Sequence, residues 1–221
     1  MKFNVAQMDN NAVKKLEADL WESADLLRAN SKITSQQYCM PVLGLIFLRY
    51  AEGRYKLVEA EIIKNRPVRN GVMLPVDPSD FIGKTALYLP EQARYSYLVN
   101  LPANVSHGEA VNHAMELVEA QAEQLKGILP NNYTIFSDEL LSELLRIFNN
   151  DALYDVGGDV IGRIYEYFLS KFAPAVASDD GVFFTPKSLV KMIVNVIEPN
   201  RGTLLESKVQ SMIQFSDCLA A

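Results

Sequence analysis

Residues 157–172 read GGDVIGRIYEYFLSKF and residues 181–199 read GVFFTPKSLVKMIVNVIEP, and both runs have the apolar spacing of a helix. Asp159 is a favourable N-cap residue for the first helix. Thr185 can cap the second helix, and Pro186 suits its first helical position. The pattern predicts two helices joined by a loop that ends in Phe-Thr-Pro.

The start of the second helix has two interpretations. Apolar residues, Val196 among them, cover most of this helix, which favours a capped helix pair buried in a core. The same helix start would present unpaired N–H groups and a positive dipole end, which together suit an anionic group of a ligand. Phe183 and Phe184, directly before it, could then pack on a ring or a thioether of that ligand.

Three features in a fixed order resemble the modification (M) subunit of type I restriction-modification enzymes. They are Gly-Asp-x-x-Gly-x-x-Tyr-Glu-Tyr at 158–167, Gly-x-Phe-Phe-Thr-Pro at 181–186, and the apolar helix that follows. The resemblance implies a DNA adenine N6-methyltransferase whose Phe-Thr-Pro segment touches S-adenosylmethionine. The cofactor-binding residues that it implies are Phe184, Thr185 and Pro186, with Glu166 and Tyr167 as further candidates for the same pocket.

The resemblance extends to the first part of the chain. The runs LWESADLLR at 20–28 and PVLGLIFLRY at 41–50 are typical of the N-terminal helical domain of the M subunit. The run YLPEQARY at 88–95 resembles a Pro-Glu-x-x-Arg-Trp motif of the family, with Tyr95 where Trp is usual. The resemblance covers about residues 11–211, and the last ten residues fit no part of the family.

These observations predict a mainly α fold. We expect an N-terminal multi-helix bundle with a few short strands over 1–155, the lead-in helices of a truncated α/β methyltransferase domain over 156–211, and a non-family tail over 212–221. The apolar periodicity and the capping residues predict the individual elements. Helices are predicted over 11–29, from Thr34 or Ser35 to about Lys64, over 90–98, 109–126 and 137–149, and short strands over 72–74 and 86–89. Trp21 is expected to be a core or interface anchor, and Gly44 to mark a close helix crossing.

Composition limits the class of protein. A net charge of −6 argues against a free-standing nucleic-acid binder, although a partner subunit could supply the basic surface. The two cysteines, Cys39 and Cys218, form neither a disulfide framework nor a zinc pattern, which fits a reducing cytosol and a cytoplasmic protein. The N-terminus lacks the apolar run of a signal peptide, and the apolar stretch over 38–50 is too short to span a bilayer, which needs about 20 residues. We therefore expect no membrane partner.

The other polar groupings predict little chemistry. His107 and His113 are six residues apart with no cysteine nearby, so no metal site is predicted. One loose basic grouping could be a solvated loop or a phosphate contact, and the sequence leaves both open. Its members are Lys64, Arg66, Arg69, Lys84 and Arg94. Two motifs of the family are absent from the 221 residues. They are Gly-x-Gly, from the loop where the backbone approaches the cofactor, and Asn-Pro-Pro-Phe/Tyr, which binds the target adenine. No catalytic residue is therefore predicted.

Three hypotheses for function follow. In the first, the chain is the N-terminal part of a type I DNA adenine methyltransferase, catalytically incomplete alone and with weak or no binding of S-adenosylmethionine. The resemblance then implies a specificity (S) subunit, a restriction (R) subunit and double-stranded DNA as partners, with a contact between M subunits as a further option. In the second, the chain is a non-enzymatic helical module that binds partner subunits or DNA. The third, an unrelated helical hydrolase, is disfavoured because no nucleophile, base or metal constellation appears in the sequence.

Overall fold

The computed structural model describes residues 10–66, 68–69, 72–84, 86–102, 104–150 and 162–172, together with Met192 and Val196. Over this part of the chain the mainly α prediction is confirmed. The helices are α1 (Asn10–Asn30), α2 (Ser35–Asn65), α3 (Tyr95–Val99), α4 (His107–Glu119), α5 (Asp138–Phe148) and α6 (162–172). No helix of the described residues is both long and apolar enough to cross a bilayer.

Helix α2 lies at the centre of the fold. It begins with a capping box, in which the Thr34 hydroxyl oxygen accepts from the backbone N–H of Gln37 and the Gln37 side chain accepts from the backbone N–H of Thr34, both at 3.3 Å. Every residue from Pro41 to Gly53 is buried. A helix that is apolar nearly all round is stable only when other elements surround it, and α3 and α5 pack directly against α2.

Helices α1 and α5 follow their predicted patterns. The buried residues Val13, Leu16, Leu20 and Ala24 recur at helical spacing on one face of α1, which packs against α5. Ser137 caps α5, since its side chain accepts from the backbone N–H of Leu140 at 3.3 Å. Both helices match their predicted bounds within one residue.

The segment between α2 and α3 contains less strand than the sequence predicts. A two-residue antiparallel pairing joins Val68–Arg69 to Val72–Met73. The strand predicted over 86–89 is wrong, because this stretch has no paired backbone neighbour. Its apolar residues instead pack irregularly against the core, where Leu89 is fully buried and its carbonyl oxygen accepts from Arg94 Nε at 3.2 Å.

Two predicted helices are each divided in the structure. The helix predicted over 90–98 becomes a 3₁₀ turn, Glu91–Ala93, and then α3, because Arg94 between them has extended backbone angles. The helix predicted over 109–126 ends at Glu119, and a separate 3₁₀ turn covers Glu123–Leu125. Beside the first division, Arg94 and Ser96 bind Tyr55 and Glu52 of α2.

Gly44 lies at a close contact, although not the predicted helix crossing. A Cβ atom on Gly44 would overlap the Tyr133 hydroxyl oxygen and lie 2.6 Å from Pro130 Cγ. Both neighbours belong to the connection between α4 and α5. The Tyr133 hydroxyl donates to the Pro41 carbonyl oxygen at 2.8 Å, so this connection is held directly against α2.

Helix α6 packs on the helical domain, in one hydrophobic core with α1, α2 and α5. Ile164, Tyr165, Phe168 and Phe172 belong to this core. The predicted domain boundary between residues 155 and 156 lies outside the described residues and stays a prediction. Val196 was expected to be buried and is 80% exposed, while the rest of its predicted helix also lies outside the described residues.

Candidate functional site

Two of the five predicted cofactor residues lie in the described part of the chain, next to each other on α6. Glu166 is exposed and Tyr167 is half-buried. The Lys171 ammonium lies 5.2 Å from the centroid of the Tyr167 ring, one helical turn away. Phe184, Thr185 and Pro186 lie outside the described residues, so whether the five come together stays a prediction.

The side-chain types of this pair allow contacts with a nucleoside, and the cofactor role of the pair stays a prediction. A carboxylate such as that of Glu166 accepts hydrogen bonds from ribose hydroxyl groups, and the ring of Tyr167 offers a flat surface for a base. The apolar face of α6 packs into the core, whereas Glu166 lies at the protein surface. These two side chains alone do not enclose a ligand.

Aromatic side chains hold α6 against the helical domain. Trp21 of α1 meets Phe168 and Phe172 edge-on, with ring centroids 5.4 and 4.9 Å apart. Phe148 of α5 packs on Phe168 at 5.9 Å, and Tyr38 of α2 packs on Phe172 at 6.2 Å. The prediction that Trp21 anchors a core or an interface is confirmed.

A buried ion pair on α2 was not found by the sequence analysis. Arg49 and Glu52 are both 0% exposed, with Arg49 Nη1 4.0 Å from Glu52 Oε2. Arg49 Nε donates to the Phe148 carbonyl oxygen at 3.2 Å, and its Nη2 donates to the Asn150 carbonyl oxygen at 3.3 Å. The guanidinium therefore binds the C-terminal end of α5, where the helix dipole favours a positive charge.

Glu52 binds the beginning of α3 in the same way. Its Oε2 accepts from the backbone N–H of Ser96 at 3.1 Å, and its Oε1 accepts from the Ser96 hydroxyl group. Lys56 Nζ lies 3.1 Å from Glu52 Oε1 and contributes a second positive charge. We call Arg49 and Glu52 the α2 clamp, because two side chains one turn apart hold the ends of two other helices. The sequence feature that could have indicated these contacts is a pair of opposite charges, Arg49 and Glu52, inside an apolar run.

The loose basic grouping is largely engaged within the chain. Arg66 Nη1 lies 2.8 Å from Asp80 Oδ2, and Lys84 Nζ lies 3.3 Å from Glu61 Oε1. The pKa of Asp80 is lowered, first by the backbone N–H of Asp77 and then by Arg66. These pairings favour the solvated-loop interpretation over a phosphate contact.

Arg94 binds to α2. Its Nη2 donates to the Tyr55 hydroxyl oxygen at 2.8 Å, and the guanidinium lies 4.8 Å from the centroid of the Tyr55 ring. The Tyr55 hydroxyl in turn donates to Glu59 Oε1 at 2.5 Å. Burial, with help from this bond to Glu59, raises the pKa of Tyr55. Arg94 of the YLPEQARY motif therefore has a structural contact within the helical domain.

The two histidines lie at separate positions in the structure. The His107 ring is buried, with Nδ1 3.1 Å from the Val105 carbonyl oxygen, and the His107 backbone N–H donates to Asp138 Oδ1 at 2.7 Å. His113 Nε2 lies 3.2 Å from Gln92 Oε1. Among the described residues, no three side chains of the metal-binding types come together. The histidine contacts connect elements of the fold.

Two family models match the chain, one after the other. The HsdM N-terminal domain matches residues 16–148, and the N-6 DNA Methylase family matches residues 156–211. The first match covers the helices α2 to α5 and most of α1, and the second covers α6 with the predicted Phe-Thr-Pro segment.

Curated relatives are named as methylase subunits of type I restriction enzymes. The MjaIX methylase subunit of a type I restriction enzyme from Methanocaldococcus jannaschii is 33% identical over 207 residues, covering 87% of this chain and 37% of the relative. The HindI methylase subunit from Haemophilus influenzae is 31% identical over 46% of this chain and 25% of the relative. The StySPI methylase subunit from Salmonella potsdam is 26% identical over 94% of this chain and 34% of the relative.

The matches thus span between 25% and 37% of the length of these relatives. The resemblance to type I modification subunits, stated from the sequence motifs, is confirmed by the two family matches and by the relatives. Because the HsdM N-terminal domain model alone matches residues 16–148 of the 221, this chain belongs to the HsdM N-terminal domain family.

Proposed function

We propose that this chain forms the N-terminal part of a type I DNA adenine N6-methyltransferase subunit, which methylates host DNA in the cytoplasm. The observation that carries the proposal is the order of the two family matches, 16–148 and then 156–211. Helix α6, at the start of the second region, packs into the core of the first. This continuity supports one subunit with two regions.

In this proposal the helical domain is the assembly part of the subunit. Its partners are the S subunit, which selects the sequence, the R subunit, double-stranded DNA, and a second M subunit. The net charge of −6 and the internal pairing of Arg66 and Lys84 argue that a partner supplies most of the positive surface facing DNA.

The proposed cofactor is S-adenosylmethionine, which supplies the methyl group. Phe184, Thr185, Pro186, Glu166 and Tyr167 are the residues that we propose to line its site. Neither a Gly-x-Gly loop nor an Asn-Pro-Pro-Phe/Tyr motif occurs in the 221 residues. We therefore expect the chain by itself to bind the cofactor weakly or not at all, and to transfer no methyl group.

Calorimetric titration of S-adenosylmethionine into the purified chain tests the cofactor part. We expect no saturation at concentrations up to about 1 mM, which corresponds to a binding free energy weaker than about −4 kcal/mol. Titration of a type I methylase subunit that contains both motifs is the matched control. Micromolar binding by this chain, lost in a Thr185→Ala variant, would contradict the claim that the site is incomplete.

Co-purification with an S subunit tests the assembly part. The full chain and a tagged S subunit are mixed with and without a DNA duplex, and the retained chain is measured. Retention of the chain supports the proposal. If neither the S subunit nor DNA retains it, the proposed role in assembly is wrong.

The second candidate function is a non-enzymatic helical module. The described part of the helical domain has exposed apolar side chains, Leu57 at 58% and Ile82 at 81% among them, that a protein partner could cover. Joining residues 1–211 to the remaining part of a type I methylase subunit that contains both motifs separates the two functions. Micromolar binding of S-adenosylmethionine that is lost in a Thr185→Ala variant supports the methyltransferase part, and binding that Thr185→Ala leaves unchanged supports the module.

A further inference from the structure

Two side chains of α1, one helical turn apart, contact α6. The Trp21 ring meets Phe168 at 5.4 Å and Phe172 at 4.9 Å, with interplanar angles of 72° and 70°. Four residues earlier, Glu17 Oε1 lies 3.4 Å from Arg163 Nε. Glu17 is only 7% exposed, so this ion pair is shielded from water on the side of α1. We call Glu17 and Trp21 the α1 docking surface.

These contacts fix the rotation of α6 about its axis. Successive residues of an α-helix are about 100° apart, so rotation by one residue would move Phe168 and Phe172 away from Trp21. The same rotation would change the direction in which Glu166 and Tyr167 face. The contacts with Arg163 and Phe172, which are nine residues apart, also fix the position of α6 along α1.

Packing of its apolar face stabilises α6. In proteins, tertiary packing of an amphipathic face supplies most of the stability of a helix, and intrinsic propensity supplies less. The apolar face of α6, formed by Ile164, Tyr165, Phe168 and Phe172, is buried entirely in the core shared with the helical domain.

We propose that the α1 docking surface keeps the beginning of the methylase region folded and sets the direction of Glu166 and Tyr167. The folding unit of the helical domain then extends past the end of its family match at residue 148 and includes α6. Disturbing α1 changes the stability of the backbone at Glu166 and Tyr167. That Glu166 and Tyr167 contact the cofactor rests on the proposed function, whereas the coupling between α1 and α6 does not.

Hydrogen exchange of the full chain, followed by mass spectrometry, tests this coupling. In a Trp21→Leu variant we expect the amides of 166–172 to exchange faster by about tenfold or more, while those of 111–118 in α4 keep their rate. Leu26→Ala is the matched control, because Leu26 lies on the same helix and is 62% exposed. It should change neither segment. Unchanged exchange at 166–172 in Trp21→Leu would overturn the proposal.

A charge exchange gives a second test, which does not depend on deleting a large side chain. Glu17→Arg places two positive charges together, so exchange at 166–172 should accelerate. Adding Arg163→Glu should restore the slow exchange, and a double variant as fast as Glu17→Arg alone would overturn the role of the ion pair. Faster exchange in α4 of Trp21→Leu would mean that this variant destabilises the whole helical domain. The charge exchange then decides: slow exchange at 166–172 in the double variant establishes the contact between Glu17 and Arg163, and fast exchange there refutes it.

The single tryptophan of the chain provides an independent readout. Phe172→Ala removes one ring that covers Trp21, so we expect a red shift of its fluorescence emission. An emission maximum that does not move would contradict the docking geometry. None of these measurements uses S-adenosylmethionine or DNA. Failure of the methyltransferase proposal would therefore leave the docking result intact, and failure of the docking would leave the family assignment intact.

Discussion

Replacing Gly44 by alanine should destabilise the chain, although alanine is the better helix former. Gly44 lies in the buried part of α2, where the connection between α4 and α5 crosses it. An added Cβ atom would overlap the Tyr133 hydroxyl oxygen and lie 2.6 Å from Pro130 Cγ. The Tyr133 ring is fully buried and its hydroxyl donates to the Pro41 carbonyl oxygen at 2.8 Å, so it has little room to withdraw.

The expected size follows from three contributions. Glycine to alanine in a helix interior stabilises by about 1 kcal/mol. Overpacking a filled core costs about 1–3 kcal/mol. Loss of the buried hydrogen bond from Tyr133 costs about 1 kcal/mol. The net change in the free energy of unfolding is a loss of about 1–3 kcal/mol, and each kcal/mol lowers the melting temperature of a chain of this size by about 2–4 °C.

Urea unfolding followed by circular dichroism measures this difference, and a double-mutant cycle identifies its cause. In a Tyr133→Phe background the hydroxyl is gone, so Gly44→Ala should cost about 1 kcal/mol less than in the native chain. Gly162→Ala is the control, because its Cβ atom would meet nothing within 4 Å. A Gly44→Ala variant as stable as the native chain would refute the reasoning, as would an unchanged cost in the Tyr133→Phe background.

The remaining predictions concern buried polar groups. Arg49→Met should lower the free energy of unfolding by about 1–3 kcal/mol, measured by urea unfolding, because it leaves the Phe148 and Asn150 carbonyl oxygens at the end of α5 without their donor. Glu52 keeps Lys56 and Ser96 as partners. An effect below 1 kcal/mol would contradict the α2 clamp. Burial raises the pKa of the Cys39 thiol from 9.0 to about 12, so in a Cys218→Ser variant alkylation at pH 8 should be slow and should accelerate on unfolding. Fast alkylation of the folded chain would show that the thiol is accessible. Burial also raises the pKa of Tyr38 above 10.0. The Cys39 thiol and the Tyr38 hydroxyl therefore ionise at a lower pH in the unfolded chain than in the folded chain. Their contribution to the free energy of unfolding is complete below about pH 9 and is lost as the pH rises through the raised pKa values, so the urea concentration at the midpoint of unfolding should fall above pH 10.

Local signals explain which parts of the fold the sequence predicted correctly. The capping box at Thr34 and the cap at Ser137 depend on residues three positions apart, and both are present. The apolar periodicity of α1 likewise lies within one element. The sequence pattern contains such features in full, because the groups that interact are close in the chain.

Features that depend on distant partners could not be predicted in this way. Arg49 reaches the Phe148 carbonyl oxygen 99 residues away, and Glu52 reaches Ser96 44 residues away. At the early end of α4, Glu119 Oε1 accepts from the backbone N–H of Leu129 in the connection that follows. Apolar periodicity alone predicts a longer α4. It also predicts that charged residues such as Arg49 and Glu52 face solvent.

At the candidate site, too, the sequence predicted the local features and missed the contacts between distant residues. Motif resemblance identified Glu166 and Tyr167 as neighbours on one helix, and the structure has them on α6 at its exposed and half-buried positions. It did not predict that α6 would pack through Trp21 into the helical domain, because that contact joins residues at opposite ends of the described chain. The roles of Phe184, Thr185 and Pro186 stay predictions.

The α2 clamp limits how the length of α2 can vary among relatives. An inserted residue between Arg49 and Glu52 would rotate one attachment by about 100° relative to the other, so α5 and α3 could not both be held. Beyond Val58 the helix carries mainly exposed side chains, and a change in length there would leave both attachments of the clamp in place. Insertions and deletions in natural relatives should therefore cluster after Val58 and be rare between residues 41 and 55.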